Sequence, residues 1–137
     1  MPALDNCHHD VVSALEKDGW SIKSENEFYR HGNRSIFIDI RAEKIETGQV
    51  ERVLLAEIKC FSDEQSRNSD WYVAIGQYLI YREIIDILQV NIPVYLAIPH
   101  IIYDMIADDV IDQLIEKHHI KLLLVNMDSQ QVVKWIN

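Results

Sequence analysis

The chain has 137 residues, 48% of them hydrophobic, and a formal net charge of -9, which predicts a single globular domain over 1–137. The acidic balance disfavours a generic nucleic-acid-binding surface, because Lys and Arg supply most of the phosphate affinity of such surfaces. No apolar run is long enough to cross a bilayer, residues 1–5 do not resemble a signal peptide, and Cys7 and Cys60 lack framework spacing. We therefore expect a cytoplasmic protein with reduced thiols and no membrane contact.

Apolar periodicity and turn residues predict alternating helices and strands. In chain order the expected elements are helix 5–17, strands 20–23, 35–41 and 53–61, helix 69–88, strand 92–98, helix 100–117, and strands 120–125 and 132–136. Asp5 is the expected cap of the first helix, and Gly19 its stop. The polar segment 24–34 is expected to be a turn or a ragged strand end, and 62–68 a loop. The helix 100–117 is expected to break near 107–109.

Two turn signals organise the first three strands. Gly32-Asn33 is a turn-forming pair, and Glu46-Thr47-Gly48-Gln49 predicts a hairpin between the second and third strands. Three strands in succession, followed by helices that alternate with strands, predict an α/β fold. We expect a mixed β-sheet flanked by α-helices.

Three charged residues interrupt strands that are otherwise apolar. Asp39 lies between isoleucines, and Glu57 and Lys59 are two residues apart, so they project from one face of their strand. If these strands form a hairpin, the three side chains come close together. A buried carboxylate is unfavourable unless it is paired or bound to a metal, and a divalent ion such as Mg²⁺ or Mn²⁺ relieves repulsion between two carboxylates. Lys59 could then activate a water or stabilise charge on a phosphate.

The same spacing is equally compatible with a structural ion network in which Lys59 pairs with both carboxylates. Gln77 and Tyr81 favour a site, because they share a helix face and a glutamine in an apolar stripe needs a polar partner, although a backbone group would also serve. Glu16 on the first helix could add a third carboxylate to the metal site, but such a residue is more often solvated.

Two further residues are candidates for the neighbourhood of this site. His8 on the first helix is more readily explained as a helix-packing or capping histidine. Glu43 could reach a metal, but a salt bridge with the adjacent Lys44 is the simpler interpretation. The paired histidines 8–9 and 118–119 lack the ligand spacing of zinc sites.

Several segments of the chain match the motifs of known nucleases. Glu16, Asp39, Glu57-Ile58-Lys59 and the Gln-x-x-x-Tyr element from Gln77 to Tyr81 resemble the PD-(D/E)XK superfamily, whose core has the order α-β-β-β-α-β. Over nearly its whole length the chain more closely resembles the XisH family, the fdxN element excision controlling factors of cyanobacteria. The segments that carry this second resemblance are 17–20, 38–39, 42–44, 56–59, 76–78, 81–82, 95–99 and 135–136.

The resemblance implies a restriction-endonuclease-like core. It implies that Asp39 and Glu57 bind Mg²⁺ or Mn²⁺, that Lys59 is the catalytic lysine, and that Gln77 orients Lys59 or a phosphate. It also implies a part in programmed DNA excision during heterocyst differentiation. The expected partners are DNA, a small XisI-like protein and a site-specific recombinase, and the small size and apolar helices suggest a homodimer.

Two functional hypotheses follow. In the first, the chain is a metal-dependent endonuclease-like enzyme, which the set Asp39, Glu57, Lys59 and Gln77 favours. In the second, it is a catalytically weak or inactive regulatory protein that binds an XisI-like protein or a recombinase, which the acidic net charge favours.

Overall fold

The computed structural model describes residues 7–61 and 67–137. Its elements in chain order are α1 (His8–Lys17), β1 (Trp20–His31), β2 (Arg34–Glu46), β3 (Gln49–Ile58), α2 (Arg67–Ile87), β4 (Val94–Pro99), α3 (His100–Ile106), α4 (Asp109–Lys117), β5 (Leu122–Asn126) and β6 (Gln131–Ile136). Two expectations, Asp5 as a helix cap and the part of the 62–68 loop over 62–66, lie outside the described residues. The end of that loop prediction is wrong, because Arg67 and Asn68 already belong to α2. No helix in the described ranges is long and apolar enough to span a bilayer.

The predicted elements occur in the predicted order, and the last long helix is divided where the sequence indicates. Asp108 accepts a hydrogen bond from the backbone N–H of Ile111 at 2.9 Å, which caps α4 and separates it from α3. Both turn signals are confirmed, at Gly32-Asn33 and at Thr47-Gly48. The positive φ angles of Gly32 (60°) and Gly48 (79°) explain why these turns contain glycine.

The expectation for 24–34 is wrong for most of its length. β1 continues to His31, because it pairs with β2 from Trp20↔Lys44 to His31↔Arg34. Pairing satisfies the backbone groups of this polar segment that face β2, although most of its side chains are exposed. A register shift follows Ile22, and Asn26 has a φ of 66°, a conformation that Asn tolerates better than most residues.

The six strands form one sheet in the order β1-β2-β3-β4-β5-β6. β1, β2 and β3 are antiparallel neighbours, β3, β4 and β5 run parallel, and β6 is antiparallel to β5. This mixed sheet with flanking helices confirms the predicted α/β fold. The parallel pairs require crossover connections, and α2 and the α3–α4 pair provide them.

Buried residues form two clusters, one on each face of the sheet. Successive residues of the central strands alternate between the clusters, as with Leu54 and Leu55, or Ala97 and Ile98. The α1 face contains the buried residues of α1 together with Trp20. The α2 face contains the buried residues of α2, α3 and α4. The central strands therefore form the middle layer between helices.

The two cysteines are joined. Cys7, immediately before α1, and Cys60, two residues after β3, form a disulfide with their Cα atoms 5.9 Å apart. The Cys7 backbone N–H also points at the Cys60 sulfur, at 3.0 Å. The expectation of reduced thiols is wrong for this pair, because α1 packs across the sheet and brings together residues separated by 53 positions.

Candidate active site

The two predicted carboxylates lie where β2 and β3 separate. The regular ladder between these strands ends at the pair Ile40↔Ala56. Beyond it, the Asp39 N–H donates to Glu57 Oε1 at 3.2 Å, and the Ile58 N–H donates to Asp39 Oδ2 at 2.9 Å. Each carboxylate therefore accepts a backbone N–H from the neighbouring strand, which fixes the two groups relative to one another.

The polar neighbours of Glu57 include two residues of α2. Glu57 is only 9% exposed, so its carboxylate needs hydrogen-bond donors. Gln77 Nε2 lies 3.5 Å from Glu57 Oε2 and donates to the Tyr81 hydroxyl oxygen at 2.7 Å. The predicted pair Gln77 and Tyr81 thus shares one helix face and points at the predicted carboxylate.

Tyr81 is held in its protonated form. Burial raises the pKa of its hydroxyl, and the negative charges of Glu57 and Asp39 raise it further, whereas the hydrogen bond from Gln77 acts in the opposite direction. Because the oxygen of Tyr81 accepts from Gln77, its own proton is directed to another acceptor. The hydroxyl can therefore donate to an anionic group in the site.

Lys59 joins the carboxylates without pairing to them. Its backbone N–H donates to the Ala97 carbonyl of β4 at 3.0 Å, which anchors the residue just after β3. Within the described part of the chain, the ion pairs shorter than 4.0 Å are His8–Glu25 and Arg41–Glu27. The alternative in which Lys59 neutralises both carboxylates is therefore not the arrangement observed.

These side chains line one open cleft of about 290 Å³. Asp39, Glu57, Lys59, Gln77 and Tyr81 form part of its wall. The cleft connects the central strands with α2, and it is large enough to admit a small charged group and water.

The cleft also has a wall that the sequence interpretation missed. Asn26 of β1, with Ser35 and Phe37 of β2, contributes to it. From the sequence, the polar segment 24–34 is expected to be a turn or a ragged strand end, so its side chains could not be placed beside Asp39. The sequence feature that did indicate this wall was Phe37, an aromatic residue two positions before Asp39 on the same strand.

The predicted third metal ligand is not brought to this cleft. Glu16 is exposed on α1, and α1 covers the opposite face of the sheet. In 7–61 and 67–137 no group of three His, Cys, Asp or Glu residues is arranged to hold a metal ion. The geometry therefore supports two carboxylates and gives no support to Glu16.

His8 and Glu43 are also not among the residues that line the cleft. His8 is buried, and its Nε2 lies 2.6 Å from Glu25 Oε1, so it fastens α1 to β1. Glu43 is opposite Val53 in the ladder. It is four residues after Asp39 on β2, which in an extended strand corresponds to about 13 Å. Its expected salt bridge with Lys44 is absent from the ion pairs of the described residues, and Lys44 instead lies over the Trp20 ring at 5.6 Å.

The donor set fits a small, hard divalent cation. Mg²⁺ in proteins is bound through one or two carboxylates and keeps several waters, and Asp39 and Glu57 supply two carboxylates in fixed positions. A carboxylate has about four lone-pair sites, and the backbone N–H of Ile58 occupies one of those of Asp39, so Asp39 has capacity for a cation. Both residues lie on strands, which hold ligands more rigidly than loops do.

The fold and the cleft define a class of protein, a mixed α/β domain with two carboxylates, a lysine and a glutamine at the divergence of two central strands. The chain belongs to the XisH family, whose family model, described as XisH protein, matches residues 1–133.

Two crystal structures resemble the chain over nearly its whole length. An XisH family protein from Nostoc punctiforme PCC 73102 is 29% identical, with a TM-score of 0.85 over 97% of this chain and 100% of that one. An fdxN element excision controlling factor protein from Anabaena variabilis is 27% identical, with a TM-score of 0.83 over 95% of this chain and 97% of that one. No curated protein matches the chain. The family resemblance predicted from the motifs is therefore confirmed.

Proposed function

We propose that this XisH-family chain hydrolyses DNA phosphodiester bonds with the aid of Mg²⁺ or Mn²⁺. The observation that carries the proposal is the reciprocal anchoring of Asp39 and Glu57 by backbone N–H groups, beside Lys59 in an open cleft. Two acidic groups held together against their repulsion indicate a site for a cation. A lysine without a carboxylate partner in the described residues is available to an anionic substrate.

The residues have separate tasks in this proposal. Asp39 and Glu57 hold the cation, which when bound supplies electrostatic stabilisation of the phosphoryl oxygens. Lys59 places its ammonium group against the negative charge that develops at the phosphorus centre. Gln77 orients the Glu57 carboxylate, and Tyr81 orients Gln77 and donates a hydrogen bond to a phosphate oxygen or water.

The biological setting is proposed from the family. One structural relative is named as an fdxN element excision controlling factor, and we propose a comparable part in programmed DNA excision during heterocyst differentiation. The chain would act beside a site-specific recombinase and a small XisI-like protein. Such partners could supply the positive surface that long stretches of DNA require.

A second candidate function keeps the fold without turnover. The net charge of -9 opposes DNA binding by the chain alone, and it favours a regulatory protein that binds an XisI-like protein or the recombinase. In that case the carboxylates and Lys59 would be retained for structure or for recognition of a partner.

Cleavage of plasmid DNA in Mg²⁺ or Mn²⁺ distinguishes the two. We expect nicking by the wild type, with or without an XisI-like partner, and a loss of roughly 100-fold or more in Lys59→Ala and in Asp39→Asn. Lys134→Ala, which removes an exposed lysine of β6, is the matched control and should cut normally. Equal background cutting by all variants would reject the catalytic proposal for this substrate.

Metal binding has its own readout. A ligand at 100 times its Kd stabilises the native state by about 2.7 kcal/mol, so Mn²⁺ should raise the melting temperature of the wild type. Asp39→Asn should abolish most of the rise, and Lys134→Ala should keep it. A wild type that does not respond to millimolar Mn²⁺ would argue against a cation site.

A further inference from the structure

An exposed aromatic pair lies on the hairpin of β1 and β2. Phe28 and Phe37 are direct register partners, their ring centroids are 5.2 Å apart, and they are 51% and 46% exposed. Each ring therefore has one aromatic neighbour and a large solvent-facing surface. Two adjacent exposed phenylalanines are unfavourable in water, and such apolar patches commonly mark a binding surface.

The pair is next to the candidate active site. Phe37 lines the same cleft as Asp39 and Glu57, and it precedes Asp39 by two residues on β2. Two residues of extended strand span about 7 Å, and each strand of stacked DNA carries one charge per about 3.4 Å. A base on the Phe37 ring would thus lie within about two nucleotides of a phosphate at Asp39.

The charge near the turn of this hairpin differs from that of the chain. From Phe28 to Phe37 there are two arginines and one histidine, and no Asp or Glu, in a protein whose net charge is -9. Arg30 is two residues from Phe28 on β1, so the two side chains lie on the same face of the hairpin, and Arg30 Nε donates to the Gly32 carbonyl at 2.9 Å. Arg34 is three residues before Phe37 on β2, so alternation places it on the opposite face. The aromatic pair is therefore adjacent to one exposed arginine, Arg30.

We propose that the Phe28–Phe37 pair stacks on an unpaired base, while Arg30 contacts a flanking phosphate. The substrate class would then be single-stranded nucleic acid, or a single-stranded segment next to a duplex. This inference rests on the proposed function, because it positions a strand for the Asp39–Glu57–Lys59 cleft. Aromatic faces combined with a positive groove are the usual means of binding single strands, whereas the bases of a duplex are already stacked on one another.

Fluorescence anisotropy with labelled oligothymidylate, oligouridylate and a matched duplex tests the stacking. EDTA is present throughout, so that binding is measured without turnover. We expect the wild type to prefer the single strands, and Phe37→Ala to bind them about 10-fold more weakly, within the range for removal of one stacked base. Tyr72→Ala, which removes an exposed aromatic of α2 outside the cleft, should bind as the wild type does.

Two conservative variants separate stacking from simple apolar contact. Phe37→Tyr keeps the aromatic face and should bind nearly as the wild type does, whereas Phe37→Leu keeps apolar area without a ring and should bind as weakly as Phe37→Ala. Wild-type affinity in Phe37→Leu, or in both Phe28→Ala and Phe37→Ala, would overturn the proposal. The two single-stranded probes also show whether DNA or RNA is preferred.

The salt dependence of oligothymidylate binding tests Arg30. Removing one protein–phosphate interaction with a single strand makes the slope of log K against log salt shallower by about 0.7, so we expect that change in Arg30→Ala. Lys117→Ala, which removes an exposed lysine of α4, should leave the slope unchanged. An unchanged slope in Arg30→Ala would remove the phosphate part of the proposal.

Sedimentation of the same proteins tests the competing occupant, a second copy of the chain. A wild-type dimer that Phe28→Ala converts to a monomer would overturn the proposal, since the rings of the two copies would then cover each other in the dimer.

Failure of the proposed nuclease function can be distinguished from failure of base stacking. Absence of plasmid cutting with Phe37-dependent binding rejects cleavage alone, and cutting with Phe37-independent binding rejects stacking alone.

Discussion

The two faces of the sheet are packed differently. On the α1 face, Trp20 packs against Trp135 at 5.8 Å, and Trp135 against Tyr95 at 5.1 Å, between ring centroids. The disulfide between Cys7 and Cys60 closes the same face. This side of the molecule combines aromatic packing with a covalent cross-link, both of which favour stability.

The α2 face has an apolar centre and a polar edge. The carboxylates of Asp39 and Glu57 lie at this edge, and Gln77 of α2 lies over them. In the described residues, two buried side-chain atoms on this side, Glu27 Oε2 and Trp71 Nε1, have no hydrogen-bond partner. Buried polar groups of this kind reduce stability.

The difference indicates a division between stability and function. Active sites commonly retain arrangements that lower stability, and the rest of the molecule offsets them. In this protein the packing and the disulfide of the α1 face supply the compensating stability. Substitutions on the two faces should therefore separate into those that unfold the protein and those that remove the proposed activity.

The largest effect is expected from the disulfide. Replacing Cys7 and Cys60 together by serine removes a cross-link between residues 53 positions apart, and the chain entropy of a loop of that size corresponds to about 4 kcal/mol. Urea unfolding measures the loss. A reductant should lower the stability of the wild type by a similar amount and leave the double variant unchanged. If reductant leaves the free energy of unfolding of the wild type unchanged, the disulfide does not contribute to the stability of the α1 face.

A matched pair of core variants compares the centres of the two faces. Leu54 and Leu55 are adjacent on β3, 1% and 0% exposed, and belong to the α1 and α2 faces respectively. Each Leu→Ala change should lower the free energy of unfolding by about 3 kcal/mol, because each leaves a similar cavity. If the two losses are equal, the two faces differ in stability only at the polar edge of the α2 face. If the loss for Leu55→Ala is much smaller, the centre of the α2 face is also less well packed.

At the polar edge the expected change in stability is small. Asp39→Asn keeps an acceptor for the Ile58 N–H and removes one negative charge beside Glu57, so the free energy of unfolding should stay constant or rise by about 1 kcal/mol. Urea unfolding without metal provides the measurement. Asp86→Asn, on the exposed side of α2, is the control and should stay within about 0.5 kcal/mol of the wild type. If Asp39→Asn lowers the free energy of unfolding by about 2 kcal/mol, the Asp39 carboxylate has a structural role.

The effect that is smallest near neutral pH concerns stability at high pH. Burial raises the pKa of Tyr29 to about 12, and its hydrogen bond to Glu27 and the charge of Glu27 act in the same direction. A pKa raised above the unfolded value of about 10 gives stability that is complete below about pH 10 and lost as the pH rises through about 12. Tyr29→Phe should make the decline between these values shallower. An unchanged decline would show that Tyr29 does not contribute to it.

Much of the fold follows from local pattern. Apolar runs and turn residues predict the order of elements, and the alternation of side chains predicts that Glu57 and Lys59 share a face, because a strand presents every second residue to the same side. The hairpin turn at Gly48 then predicts that Asp39 lies beside them. The four-residue spacing of Gln77 and Tyr81 predicts a shared helix face for the same kind of reason. These properties depend only on neighbours in the chain, and the sequence by itself determines them.

Other features depend on which distant segments meet. The length of β1 comes from its pairing with β2, and the pairing of Cys7 with Cys60 comes from the position of α1 across the sheet. Glu16 matches the expected motif but lies on α1, whereas Asn26 of β1 enters the cleft with no motif to indicate it. Contacts between residues far apart in the chain are set by packing of whole elements. The sequence therefore determined the charged set in the strands and its partners on α2, and the tertiary structure alone decided that Asn26 joins them and that Glu16 does not.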